Sequence, residues 1–326
     1  MMAMISSQPR PFATGSRFGI TFVALLALLF GTEPRSLCAQ GADPKKVAVE
    51  SVKKLPTSDG WQIEITYYGS TLGANAPVVL LMHSLGGNRK VWEGAQGFAK
   101  RLQREGYAVV TVDLRKHGQS VNPSEANASD SSNLKVVDYH RMIDTDLEAV
   151  KEFLFKEHSA KNLNMNKMAI IAPDSAAPIA INYTAFDWLK RPYPDGPTPE
   201  SSTPRGQDIR ALVLLSPEAN LKGLTTAQAL LQIRNPEWGI GFLACVGEDD
   251  DRDRGDARKI AVKLAGVTGA KDRVLLQVYN KTKFRGTDLL GKKGVNCEDD
   301  ILYVLKKHVM DLPVEWRDRT NRLTGK

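Results

Sequence analysis

Five stretches of the chain are nearly continuous in apolar residues: "PVVLLMH" (77–83), "YAVVTVD" (107–113), "KMAIIAP" (167–173), "IRALVLLSP" (209–217) and "IGFLACVGEDD" (240–250). Each is too short for a buried helix and is rich in Val, Ile and Leu. Such runs predict strands covered on both faces. A further strand is expected at "DRVLLQVYN" (272–280), and "WQIEITYYG" (61–69) alternates as a half-buried strand does. Between them, helical spacing marks 91–106, 146–158, 175–189, 225–233, 256–266 and 297–309. The Ser/Asn-rich stretch 119–137 reads as loop. Residues 190–208 hold five prolines and almost nothing apolar, so they read as an irregular insertion.

Strands alternating with helices predict an α/β fold with a mostly parallel central sheet flanked by helices on both faces. No internal repeat is visible. Only about one helix fits between the strands at 209–217 and 240–250, so no large lid domain is expected there. A composition of 42% apolar and 25% charged residues supplies a globular core. The net charge of +7 is scattered rather than clustered, which argues against a nucleic-acid groove.

The first residues follow a targeting pattern. Arg10 and Arg17 precede an apolar run, Phe18 to Phe30, and small residues follow at "SLCAQG". The predicted organisation is a signal peptide at 1–39, a linker at 40–60, a domain at 61–312 and a C-terminal tail at 313–326. The chain is expected to be periplasmic or extracellular, or membrane-anchored if the leader stays on. A cleaved leader meets the membrane only in transit. Its removal takes three arginines and one glutamate and leaves a net charge of about +5. Cys245 and Cys297 are then the remaining cysteines, free or bridged. No His/Cys cluster has metal spacing, so no metal and no cofactor is expected.

In open α/β sheets the chemistry sits beyond the carboxyl ends of the strands. Four such ends are distinctive: "LMHSLGGNRKVW" (81–92), "VDLRKHGQS" (112–120), "IIAPDSAAPIA" (170–180) and "CVGEDDDRDRGDAR" (245–258). Together they resemble the α/β-hydrolase superfamily over roughly residues 61 to 310. The resemblance implies an oxyanion loop at His83, Ser84 and Leu85. It makes His117 a structural residue of the loop after its strand. It puts Asp174 at the nucleophile elbow, with Ser175 as the one-residue alternative. Asp250 falls at the position of the triad acid, or of a solvated acidic loop.

The family's histidine is missing from its place. "YNKTKFRGTDLLGKKG" (279–294) carries Arg285 there, and no histidine occurs from 159 to 307. Arginine stays protonated and cannot serve as a general base. Lys283 is the one nearby candidate replacement. The resulting reading is a catalytically impaired hydrolase-fold protein kept for binding a small molecule at the carboxyl edge of the sheet, or for a structural role. The alternative is an active hydrolase of the ester, haloalkane or epoxide class using Asp174 or Ser175 with a non-histidine base. An ionic network of Asp174, Arg285 and Asp250 is expected in either case.

Overall fold

A computed structural model describes residues 49–94, 97–125, 130–267, 269–270 and 272–325. The expected leader, 1–39, lies outside the described residues, as does the start of the expected linker.

Eight strands form the central sheet: β1 (Glu50–Pro56), β2 (Gln62–Tyr68), β3 (Val78–Leu81), β4 (Ala108–Val112), β5 (Met168–Pro173), β6 (Ile209–Leu215), β9 (Gly241–Gly247) and β10 (Val274–Tyr279). Two short strands, β7 (Asn220–Leu221) and β8 (Leu224–Thr225), make a separate ribbon. The order across the sheet is β1-β2-β4-β3-β5-β6-β9-β10. β1 and β2 pair antiparallel, as do β2 and β4; every other neighbour is parallel.

Successive side chains of a strand point to opposite faces, and the inner strands feed two cores in this way. Val78, Leu80, Val110, Ile170, Leu212 and Leu214 enter one core. Their neighbours Val79, Leu81, Val109, Ile171, Val213 and Leu215 enter the other. Helices α4 (Leu147–Ser159), α5 (Ala177–Trp188), α6 (Ala227–Ile233) and α7 (Asp256–Ala265) cover the first. The second lies under α1 (Val91–Gly94), α2 (Phe98–Arg104) and α8 (Cys297–Leu305). This two-sided cover is why those strands read as unbroken apolar runs.

Two expectations at the domain's ends are corrected. The second half of the expected linker is β1, paired with β2 from Glu50↔Tyr68 to Pro56↔Gln62. Only Leu55 of β1 is buried. A lysine-bearing edge strand keeps its polar side chains in water and so lacks an apolar signature. The tail from 313 has neither helix nor strand, yet it packs closely. Arg319 pairs with buried Asp208 and donates to Asn166 Oδ1 at 2.7 Å. Trp316 stacks on His158 with ring centres 5.0 Å apart. Within the expected loop 119–137, α3 (Val136–Arg141) begins at Val136. It runs through a π-helical turn, Met142–Asp146, into α4. The insertion 190–208 is irregular apart from one short turn of 3₁₀ helix at Pro199–Ser201.

Loops at the carboxyl edge are clamped by buried charge. Arg89, after β3, pairs with Glu64 and Asp113. Asp113 Oδ1 also accepts from the Arg89 N–H at 2.6 Å, and Oδ2 accepts from the Gln119 N–H at 2.9 Å. Arg115, after β4, bridges Asp59 and Asp146 at 2.8 and 2.6 Å. Between these clamps the His83 and His117 rings pack 4.8 Å apart. His83 Nε2 accepts from the Leu114 N–H at 3.2 Å, and its Nδ1 donates to Ser84 O at 2.8 Å. One donor and one acceptor describe a neutral imidazole. Burial first, then the neighbouring His117, pushes its pKa down to about 4.

An acid-sensitive term follows. An unfolded histidine takes up its proton near pH 6.5, whereas folded His83 does so only near pH 4. Between those values the unfolded state binds the extra proton, so stability falls as pH drops from 6.5 towards 4. Urea unfolding of the wild type and of His83→Gln at pH 7 and pH 4.5 isolates the effect. The wild type should lose about 2–3 kcal/mol more than the variant over that range. Equal losses in the two proteins would remove His83 as the cause.

Candidate functional site

β5 ends at Pro173 and the chain turns sharply into α5. Asp174 stands at the turn with φ +47°. A left-handed residue costs about 1–2 kcal/mol for most side chains, and aspartate is among the tolerant ones. Ala172 and Ala176 on either side are fully buried, which lets the helix cross close over the strand. Pro178 lies in the first turn of α5, where no N–H is missed. The Asp174 carboxylate therefore projects at the carboxyl edge of the sheet, between the loops that follow β3, β6, β9 and β10.

Each of those loops sends a group to it. Ser84, after β3, donates from Oγ to Asp174 Oδ2 at 2.9 Å. Arg285, after β10, pairs through Nε with Asp174 Oδ1. Its Nη1 donates to Asp250 Oδ2, after β9, at 2.8 Å. Its Nη2 lies 3.8 Å from Glu218 Oε1, after β6. Asp174, Arg285 and Asp250 thus make the contacts expected from the sequence. The Arg285 side chain is 6% exposed and that of Asp250 3%.

Two residues that the sequence reading did not single out complete the enclosure. Ser216, at the end of β6, has φ +46° and accepts the Gly286 N–H on Oγ at 3.0 Å. Glu218 supplies a third carboxylate to Arg285 and, through its N–H, a bond to Asp174 O at 3.2 Å. The usable signal for both was position alone, directly beyond the strand next to β5. Gly286 has φ +55°, and a Cβ there would collide with Asp174 Oδ2. Only glycine lets this loop close on the carboxylate.

Charge and burial oppose each other here. Burial raises the Asp174 pKa above the ordinary carboxylate value; Arg285 and the Ser84 hydroxyl pull it back in part. Burial also works against the Arg285 charge, but Asp174, Asp250 and Glu218 outweigh it and hold its pKa high. The guanidinium is thus firmly cationic.

The other expected residues fall as follows. The Leu85 N–H, the donor expected for an oxyanion, points at Ser175 Oγ at 2.9 Å. Ser175 lies beside the cluster rather than in the carboxylate's place. His83 is turned to His117, and His117 is buried, with its Nδ1 bonded to Arg115 O at 2.7 Å. Among the described residues no histidine bonds to Asp174, Ser175 or Asp250. Lys283 is exposed and makes no ion pair with the cluster. Among the described residues no group of three His, Cys, Asp or Glu side chains is placed to hold a metal ion. Cavities of about 510 and 240 Å³ lie elsewhere, and neither is lined by Asp174, Arg285 or Asp250.

Comparison with known proteins agrees with this geometry. A family model described as the alpha/beta hydrolase fold matches residues 77–165. No curated protein sequence matches the chain. Among solved structures, an esterase of Pyrococcus furiosus superposes with a TM-score of 0.57 at 15% identity, covering 80% of this chain and 92% of its own. A dienelactone hydrolase of Anabaena variabilis gives 0.54 at 16% identity, covering 80% and 98%. A putative dienelactone hydrolase of Klebsiella pneumoniae gives 0.51 at 11% identity, covering 80% and 100%. At such identities the likeness is one of fold. Strand order, the left-handed residue after β5 and these matches together make the chain an α/β-hydrolase-fold protein.

Proposed function

We propose that this chain is an exported α/β-hydrolase-fold protein that does not hydrolyse, and that keeps the fold to bind a small molecule at the carboxyl edge of its sheet or for a structural role. One observation carries the reading: the group between the elbow carboxylate and the Asp250 carboxylate is a buried guanidinium. Acyl transfer on this fold needs a group there that takes a proton from a nucleophile or a water and returns it. Arginine, with a pKa above about 12, does neither near neutral pH.

Two further contacts support it. The Leu85 N–H already has an acceptor in Ser175 Oγ, so it is not free for a developing oxyanion. Asp174 Oδ2 accepts from Ser84, and Oδ1 is held in an ion pair with Arg285 without a hydrogen bond of its own. A carboxylate so held is a poor nucleophile. The second reading, an active hydrolase with an aspartyl nucleophile, draws on the elbow conformation of Asp174. The named esterase and dienelactone hydrolase neighbours suggest esters as its first substrates.

Three outcomes are expected. Purified protein assayed with p-nitrophenyl esters, haloalkanes and epoxides should turn over no faster than its Asp174→Asn variant. A wild-type rate clearly above that control would establish the second reading. Arg285→Ala should destabilise the fold by about 3 kcal/mol or more in chemical denaturation, because it strands the buried Asp250 carboxylate and the half-buried one of Asp174. A loss below about 1 kcal/mol would mean that the pair is solvated and adds little. N-terminal sequencing of the protein recovered from its native cells should begin near Gln40; a chain that starts at Met1 or Met2 in the cytosol would end the export reading.

A further inference from the structure

Behind the sheet, on the face covered by α8, lies a group that the site above does not use. Cys245 sits in β9 and Cys297 opens α8; both are fully buried in the same core. Their thiols are unlinked and neighbour each other. The Tyr279 hydroxyl donates to Asp300 Oδ2 at 2.7 Å and stands 3.4 Å from the Cys245 sulfur. Asp300 is one helical turn beyond Cys297, so the tyrosine, at the end of β10, ties that face of α8 to the sheet beside Cys245.

We infer that Cys245 and Cys297 are the two halves of a structural disulfide that ties β9 to α8. The inference rests on the export reading for its oxidising compartment. Geometry supplies the rest. These are the two cysteines of the described residues, and they stand at the two ends of a segment that includes the Arg285 loop, one in β9 and one at the start of α8. Residues 246–296 between them carry both Asp250 and Arg285. A bridge would fix both ends of the segment that closes on Asp174.

In forming it, each thiol loses its proton and the pair gives two electrons to the disulfide of a thiol–disulfide oxidant. One S–S bond forms, one breaks, and the oxidant leaves as two thiols. Burial holds the Cys245 thiol well above its usual pKa, so attack from the folded state is slow. The bond should therefore form as the chain folds, before α8 docks.

The test is oxidative refolding of the full chain carrying Cys38→Ser. Protein denatured and reduced is refolded in a glutathione redox buffer, alkylated, and digested with trypsin without reduction. Mass spectrometry should recover peptides 235–252 and 294–306 joined and two hydrogens lighter than their sum. Thermal melting should place the bridged form about 5 °C or more above the same protein kept in reductant. Recovery of both peptides singly alkylated, or a bridged form that melts lower, would overturn the inference. Alkylation at lysis of native cells separates the two readings. A pair bridged there supports both. A pair that bridges on refolding but is reduced in the cell keeps the disulfide site and removes the export reading.

Discussion

Three of the arginines taken out of water in this protein each lie between two carboxylates. Arg89 lies between Glu64 and Asp113, Arg115 between Asp59 and Asp146, Arg285 between Asp174 and Asp250. All three stand beyond the carboxyl ends of strands, where the two-sided cover of the sheet stops and the polar loops begin. A planar fork with five donors can satisfy two acids from different segments at once. Each arginine thus fastens two or three loops whose own residues have little apolar surface to bury. The cluster at Asp174 is the third use of one device.

This changes how the elbow should be regarded. Isolated, a carboxylate and an arginine at a catalytic position look like chemistry lost. Beside Arg89 and Arg115 they repeat an arrangement that the neighbouring loops already use. The acids stay because the arginine needs them, and the arginine stays because removing it would leave Asp250 buried without compensation.

The inner sheet was legible because burial on both faces leaves strands of Val, Ile and Leu that nothing else explains. The elbow was legible because a tight crossing demands small residues at 172 and 176, whatever stands between them. β1 was not legible, since an edge strand with one buried side chain has no period to detect. Nor was α3, which starts with two β-branched valines straight out of a Ser/Asn-rich loop. Among the site residues, Arg285 could be placed from the family pattern. Ser216 and Glu218 could not, because their roles depend on where the loop after β10 comes to rest. The tail misled for a similar reason: Arg319 looks like surface charge until Asp208, more than a hundred positions away, is placed beside it.

Gly286 carries a consequence for how this sequence can drift. Its missing side chain is the space occupied by the Asp174 carboxylate. Position 286 is thus closed to every other residue while 174 holds an aspartate in this place. The two positions share one volume, so 286 cannot gain a side chain before 174 gives up its carboxylate. A serine at 174 would fit the present loop, since serine is smaller. Substitution must therefore run in one order, 174 before 286, for as long as the loop after β10 keeps its path.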